Sequence, residues 1–257
     1  MREYGLIGYP LGHSFSGKFF SEKFSREGLQ CVYSLFPMAK ISGLPALMSS
    51  HPRLMGLNVT IPHKESVLPY LDSLSDDARQ IGAVNVIRIR DGKLEGFNSD
   101  WLGFAQSLRP LLRPDVRNAL IIGTGGAAKA VAYVLRKLGI AVTFVSRNPD
   151  AAMHADKSGT VREIIGYCNL DEMVMAGNRL IVNCTPLGTY PEVIAAPDIP
   201  YHLITARHIC HDLVYNPEMT EFMRRCAGQG ATVKNGLEML HIQALEAWKI
   251  WSGTHTD

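Results

Sequence analysis

The sequence predicts a two-domain α/β protein, and three observations predict it. The stretch Ala119–Asn148 reads ALIIGTGGAAKAVAYVLRKLGIAVTFVSRN, an apolar run, a glycine-rich turn, a small-residue helix pattern stopped by Gly139, and a second apolar run. A strand, tight turn, helix and strand within about 30 residues form the unit that binds dinucleotides. Upstream, short apolar strand patterns alternate with helix patterns from Glu3 onward, the rhythm of a second α/β layer. Between the two regions, Pro110 and Pro114 mark the passage from one domain to the next.

Composition bounds the function classes. A chain of 257 residues buries a sizeable core as one large or two modest domains. Its net charge of +2 argues for neither nucleic acid nor a membrane surface as a partner. The start, Met1-Arg2-Glu3-Tyr4, lacks the apolar core of a signal peptide, and the most apolar window (Ala119 to Leu135) carries Lys129 and three glycines, against a membrane span. Five scattered cysteines without a Cys-x-x-Cys pair read as reduced thiols, so the expected compartment is the cytoplasm. His208-Ile-Cys-His211 runs into a strand whose alternate side chains diverge, so no metal site is expected.

Taken in order, Glu3–Gly8 is a buried strand broken by Tyr9-Pro10-Leu11-Gly12, and the loop delivers His13, Ser14 and Ser16. Two hydroxyls spaced i, i+2 at a strand's carboxyl end suit one anionic group. Ser16 otherwise caps the helix Gly17–Glu27, which Gly28 closes. Cys31–Phe36 is a strand and Ile41–Ser50 a short helix. Leu54–Val59 is a third strand, running into Asn58-Val59-Thr60-Ile61-Pro62-His63-Lys64. Pro62 stops it and opens a helix with Lys64 near its N-terminus, where a cation opposes the helix dipole, so local helix stability does not explain the lysine. Ala83–Arg90 and Lys93–Phe97 flank Asp91-Gly92 as a hairpin. Asn85 precedes the first arm, and Asn98-Ser99-Asp100 follows the second. Asp100 otherwise caps the helix Trp101–Leu108.

In the glycine-rich turn, Gly123 permits the sharp bend, Gly125 admits a pyrophosphate against the backbone, and Ala128 is the small residue that packs the helix. The second strand ends in Ser146-Arg147, where an NAD site usually holds an acid. A carboxylate repels a 2′-phosphate and a guanidinium pairs with it, so NADP is the cofactor predicted, unless Arg147 is a solvated loop residue. Further on, Ile181–Cys184 is a strand ending in Asn183-Cys-Thr185-Pro-Leu-Gly, and Tyr190 to Pro200 is a loop long enough to act as a flap. Cys210–Val214 is the next strand, leading to Tyr215-Asn-Pro, and Thr220–Gly228 is a helix. Ala231–Val233 is a short strand, and the final helix from about Gly236 to Trp251 turns Leu237, Leu240, Ala244, Ala247 and Trp251 to one face.

The polar groups share one kind of location, the carboxyl ends of strands, where open α/β sheets bind ligands. In order, Ser14-x-Ser16, Asn58-Val-Thr60-x-Pro-x-Lys64, Gly-Ala-Val-Asn85, Asn-x-Asp100, Gly-x-Gly-Gly-Ala, Asn-x-Thr-Pro-x-Gly, Asp212-x-x-Tyr215-x-Pro and Gly-x-x-Met-Leu-x-x-Gln243 resemble the shikimate dehydrogenase family, nearly from end to end. The resemblance implies reversible, NADP-linked reduction of 3-dehydroshikimate to shikimate in aromatic amino-acid synthesis. It implies that Ser14 and Ser16 hold the substrate carboxylate with Thr60 and Tyr215, and that Asn58, Asn85, Asp100 and Gln243 bind ring hydroxyls. Lys64 and Asp100 match the family's catalytic pair. The implied cofactor side comprises Gly123, Gly125, Gly126, Ala127, Ser146, Arg147, Thr185 and Gly236. Three positions depart from the family pattern: Gly17 in place of proline, Ser146-Arg147-Asn148 in place of Asn-Arg-Thr, and Thr189 in place of methionine.

The expected layout is a substrate domain over residues 1–101, completed by 236–257, and a Rossmann-type NADP domain over 102–235. The expected partner is the small-molecule substrate, bound by a monomer or homodimer without nucleic acid or membrane. Rival readings are a quinate-preferring dehydrogenase, a non-catalytic sensor and a folate-linked dehydrogenase. The Lys64–Asp100 pair argues against the sensor, and the serine pair argues against the folate enzyme.

Overall fold

A computed structural model describes residues 1–12, 15–155, 159 and 163–255. The chain separates into two units, Met1–Ser99 with Ala244–Asp257, and Asp100–Gln243. The first division falls two residues before the expected domain boundary. The second falls inside the last helix rather than ahead of it.

The first unit is built on β1 (Arg2–Gly8), β2 (Cys31–Pro37), β3 (Leu54–Val59), β4 (Ser73–Leu74), β5 (Val86–Arg90) and β6 (Lys93–Phe97), in the order β2-β1-β3-β5-β6-β4. The strand β1 runs parallel to β2 and β3, whereas β5 is antiparallel to both β3 and β6. That mixture has a functional result. The carboxyl ends of β1, β3 and β6 and the start of β5 all lie along one edge, because Ile7 pairs with Val59, Asn58 with Val86, and Val86 with Phe97. The β5–β6 turn uses Asp91 at φ 51° and Gly92 at φ 74°, the two left-handed residues that a tight right-twisted hairpin needs.

Helices α1 (Phe15–Arg26), α2 (Leu44–Ser50), α3 (His63–Ser66) and α4 (Asp76–Ile81) cover this sheet. Alternation along the strands divides the core. Tyr4, Leu6, Tyr33 and Val86 meet Phe20 and Phe24 on one side, joined by Ala244, Ala247, Ile250 and Trp251 from the end of the chain. Ile7, Leu57, Val59 and Ile87 meet Leu44, Val67 and Ala78 on the other. Helix α1 begins at Phe15, so Ser16 lies in its first turn and does not cap it.

The second unit has six parallel strands, β7 (Asn118–Ile122), β8 (Ala141–Ser146), β9 (Ile164–Gly166), β10 (Leu180–Asn183), β11 (Ile209–Asp212) and β12 (Thr232–Lys234). Their order, β9-β8-β7-β10-β11-β12, is that of the doubly wound dinucleotide-binding sheet, with its switch point between β7 and β10. Helices α5 (Asp100–Leu108), α6 (Gly126–Lys137), α7 (Pro149–Ala155), α8 (Glu172–Gly177) and α9 (Glu221–Gly228) accompany it. The last helix, α10 (Leu237–Ser252), runs through the division between the units. The apolar face expected for it needs one correction. Leu237 is exposed, and the buried apolar positions are Met239, Ala244, Ala247, Ile250 and Trp251. Among the described residues no helix is long and apolar enough to cross a membrane.

Candidate functional site

The carboxyl edge of the first sheet gathers the residues expected to hold substrate. Asn58 is buried in β3; its Oδ1 accepts from the Tyr33 hydroxyl at 2.8 Å and its Nδ2 points to the Asn85 carbonyl at 3.4 Å. Burial pushes the pKa of that tyrosine up, and the nearby Ser16, in the first turn of α1, opposes the rise. Asn85, also buried, accepts the Ser99 backbone N–H at 2.7 Å through Oδ1 and donates to Ser99 Oγ at 3.0 Å. Asn98 donates to the Ala83 carbonyl at 2.9 Å. Tyr33, Asn58, Asn85 and Ser99 therefore stand in one bonded chain. Ser14 falls outside the described residues.

Lys64 is the second residue of α3 and is partly buried. Its turn is pinned from both flanks. The Val84 N–H donates to the Lys64 carbonyl at 2.7 Å, and the buried His63 ring reaches the Met38 carbonyl at 2.5 Å through Nε2. A carbonyl only accepts, so the His63 proton sits on Nε2. Thr60 opens the same turn, its N–H donating to the Ile7 carbonyl at 2.9 Å. Its methyl group lies where a Cβ on Gly8 would come within 2.4 Å, so Gly8 allows β1 and the β3 exit to close together.

In the second unit, Asp100 is the first residue of α5 and is buried, 4% exposed. One turn later Gly103 lets α10 approach: a Cβ there would stand 2.6 Å from the Met239 carbonyl and 3.4 Å from Gln243 Cβ. Residues three apart share a helix face, so Asp100 and Gln243 belong to adjoining faces of one helix pair. Tyr215 is partly buried three residues after β11 ends. Trp101, next to Asp100, meets the Tyr133 ring of α6 edge-on at 5.8 Å.

The glycine-rich turn has the shape its composition demands. Gly123 adopts φ +101°, and a Cβ on it would stand 3.2 Å from Thr185 Cγ2. Gly125 precedes α6 as its N-cap and faces open space, with nothing within 4 Å of where a Cβ would be. Gly126 and Ala127 form the first turn of the helix, and Ala128 is buried against the sheet. Free N–H groups at this helix start suit a pyrophosphate. At the end of β8, Ser146 Oγ accepts from the Asn148 N–H at 3.2 Å, and Asn148 Oδ1 caps the next helix through the Ala151 N–H at 3.1 Å. Arg147 stands exposed between them; burial raises the Tyr167 pKa, and the Arg147 guanidinium pulls it the other way. An open helix start and an exposed arginine on the second strand's end, with no acid at that end, fit a dinucleotide carrying a 2′-phosphate.

Thr185 and Gly236 are held by structure of their own. Thr185 binds Asn183 Oδ1 through both its N–H (3.1 Å) and its hydroxyl (2.7 Å). Asn183 in turn donates to Asp212 Oδ1 at 2.9 Å, which also takes the Val214 N–H at 3.0 Å, while Oδ2 takes the Thr220 hydroxyl at 2.6 Å. Asp212 is fully buried, and desolvation pushes its pKa up to about 6 against the pull of these three donors. Gly236 is buried where a Cβ would collide with the Leu213 carbonyl, and its N–H donates to the Val214 carbonyl at 3.0 Å. On the neighbouring strand position, the His211 imidazole is fully buried beside Phe104, 5.2 Å between ring centres; burial and then Lys234 hold its pKa down at about 3. The preceding His208 gives both ring nitrogens to Thr205 and the Met175 carbonyl. The loop after Thr189 is tied down, with the Tyr190 N–H on the Asn216 carbonyl and Ile199 in the core.

Sequence reasoning missed Tyr33, His63 and Thr220. Thr220 was legible as a cap ahead of an acidic first turn, and its hydroxyl accepts from the Met223 N–H at 3.2 Å. Tyr33 carried no signal, since it sits in the strand pattern Cys31–Phe36 as an ordinary core residue, and nothing around His63, between Pro62 and Lys64, marks the Met38 carbonyl that it reaches.

Comparison with known proteins adds independent findings. The family model described as "Shikimate dehydrogenase substrate binding domain" matches residues 6–87. The chain is 37% identical to the NADP(+) shikimate dehydrogenase of Desulforamulus reducens, over 97% of this chain and 89% of that one. It is similar in structure to the shikimate 5-dehydrogenase of Thermus thermophilus solved with NADP(H) and shikimate, with a TM-score of 0.84 and 32% identity over 100% and 95% of the two chains. A 5-ketofructose reductase of a Gluconobacter species also superposes, with a TM-score of 0.78 and 31% identity over 100% and 94%. The fold alone therefore does not select the substrate.

Proposed function

The chain belongs to the shikimate dehydrogenase family, and from that premise we propose that it is an NADP-dependent shikimate dehydrogenase interconverting 3-dehydroshikimate and shikimate. The observation that carries the substrate is the bonded edge Tyr33–Asn58–Asn85–Ser99, which gathers polar groups of the expected kind, with the Lys64 carbonyl tied to Val84 next to Asn85. On this reading residues 1–101, with the end of α10, bind substrate, and residues 102–235 bind cofactor. The enzyme works in the cytoplasm as a monomer or homodimer, where its five free cysteines suit a reducing compartment.

When bound, NADPH supplies the hydride. The chain's residues do the rest. Ser14 and Ser16, with Thr60 and Tyr215, fix the substrate carboxylate, and Asn58, Asn85 and Gln243 bind the ring hydroxyls. Lys64 donates a proton to the oxygen of the ketone as it becomes an alkoxide, and takes it back in the oxidative direction. Asp100 orients the ammonium and binds a neighbouring hydroxyl. The residues placed toward the cofactor are Gly123, Gly125, Gly126 and Ala127 at the pyrophosphate, Ser146 and Arg147 at the 2′-phosphate, and Thr185 and Gly236 at the nicotinamide end.

The test is a rate assay following reduced nicotinamide absorbance, crossing shikimate and quinate with NADP and NAD. Shikimate with NADP is expected to give the highest kcat/KM. Lys64→Ala is expected to lower kcat by at least about a hundredfold with KM changed less than about tenfold, as for loss of a positioned proton donor. A folded Lys64→Ala enzyme with near-normal kcat would sink the assignment.

A further inference from the structure

We propose that Tyr33 is a positioning residue that fixes the polarity of the substrate edge, holding the Asn58 amide so that it offers substrate only N–H. The proposal rests on the reading of Asn58 as a substrate residue and deepens it.

The Tyr33 ring is locked independently of its hydroxyl. It stacks on Phe20 at 4.8 Å with 15° between planes, and it lies 6.4 Å from Trp251. The hydroxyl has one proton, and it is committed to Asn58 Oδ1 at 2.8 Å, since an amide oxygen only accepts. Turning the Asn58 amide over would put its NH₂ group where Oδ1 now takes the hydroxyl proton, so the Tyr33 O–H would have to turn away and lose this acceptor. The turn would also bring Oδ1 against the Asn85 carbonyl, which Nδ2 now faces at 3.4 Å and which already accepts the Val59 N–H at 2.8 Å. The flip thus gives up the Tyr33 bond at one end and sets two acceptors against each other at the other. Asn85 is oriented in the same sense and without ambiguity, because the Ser99 backbone N–H that meets its Oδ1 can only donate.

Asn58 thus commits its oxygen to Tyr33 and turns its N–H side to the ligand. A substrate oxygen read by Asn58 must accept, so the site favours a hydroxyl or ketone at that place. An analogue lacking the oxygen leaves a buried donor unpaired. Without the Tyr33 hydroxyl the amide gains a second orientation, and the discrimination weakens.

The experiment compares wild type with Tyr33→Phe, which keeps the stacked ring. Both are assayed for kcat/KM on shikimate and on ring-deoxy analogues, each lacking one hydroxyl. The preference for shikimate over one of these analogues is expected to fall about three- to tenfold in Tyr33→Phe, with kcat on shikimate within about twofold. Any change in how Ser16 holds the carboxylate is common to all substrates and divides out of that ratio. Unchanged preference for every analogue, or an equal loss for all of them, overturns the proposal. Wild-type inactivity on shikimate instead defeats the functional reading. The amide claim then stands or falls on ¹⁵N NMR of the ligand-free protein: the Asn58 side-chain NH₂ signals are expected to lose exchange protection in Tyr33→Phe, and identical protection in the two proteins refutes it.

Discussion

Replacing Asp212 by asparagine isolates what a buried charge does to the second unit. Asp212 is fully buried, and its pKa is raised from 3.8 to about 6, chiefly by desolvation. A folded-state value above the unfolded one means that this group favours folding when protonated. Its contribution is complete below pH 3.8 and is lost as pH rises through about 6. Moving a carboxyl from 3.8 to about 6 corresponds to about 3 kcal/mol across the whole window. Between about pH 5 and pH 7.5 the accessible part is about 1.4 kcal/mol. The Asp212→Asn variant carries no such titration. Its new NH₂ group meets a Thr220 oxygen that already accepts from Met223, which adds a pH-independent cost of about 1–2 kcal/mol on top of the titrating difference. Urea unfolding at the two pH values, followed by circular dichroism, gives the wild-type advantage over the variant. That advantage is expected to shrink by about 1.4 kcal/mol at the higher pH. An advantage that is flat or grows with pH would mean that the three donors, and not burial, set the state of this carboxyl.

Two further substitutions probe each half of the fold. A Cβ at Gly56 would stand 2.3 Å from Trp251 Nε1, whose N–H donates to the Ile87 carbonyl at 3.0 Å, so Gly56→Ala is expected to cost about 3 kcal/mol in urea unfolding through overpacking and a lost hydrogen bond; a cost under about 0.5 kcal/mol would show that the indole has somewhere else to go. Arg147→Ala is expected to raise KM for NADP about ten- to a hundredfold while leaving KM for NAD within about twofold, the loss of one charge-assisted contact to a phosphate. Equal effects on both cofactors would remove Arg147 from the 2′-phosphate.

The second unit was legible where its elements are long and punctuated by glycine. Gly123, Gly139 and the two apolar runs around them locate β7, α6 and β8 within a residue or two. Beyond Arg147, β9 spans three residues and α8 six, too short for periodicity to register, although Asp171 caps α8 by accepting from the Val174 N–H. On the substrate side, Asn58, Asn85 and Asp100 were readable because each follows a turn signal or ends a strand. Tyr33, the partner of Asn58, was not, since nothing in an alternating strand tells a tyrosine that packs from one that also orients an amide. The face of α10 went astray at Leu237 because a helix wheel assumes a single partner, whereas this helix serves two units in succession.

Trp251 has a bearing on how the protein is made. The side of the first sheet that carries Tyr4, Tyr33 and Val86 is closed by Ala244, Ala247, Ile250 and Trp251. On the ribosome those four residues emerge only after every strand of the second unit. The N-terminal sheet therefore waits, one face uncovered, while the dinucleotide-type sheet has its whole sequence in hand. Vectorial synthesis makes the unit that begins the chain the last to be completed.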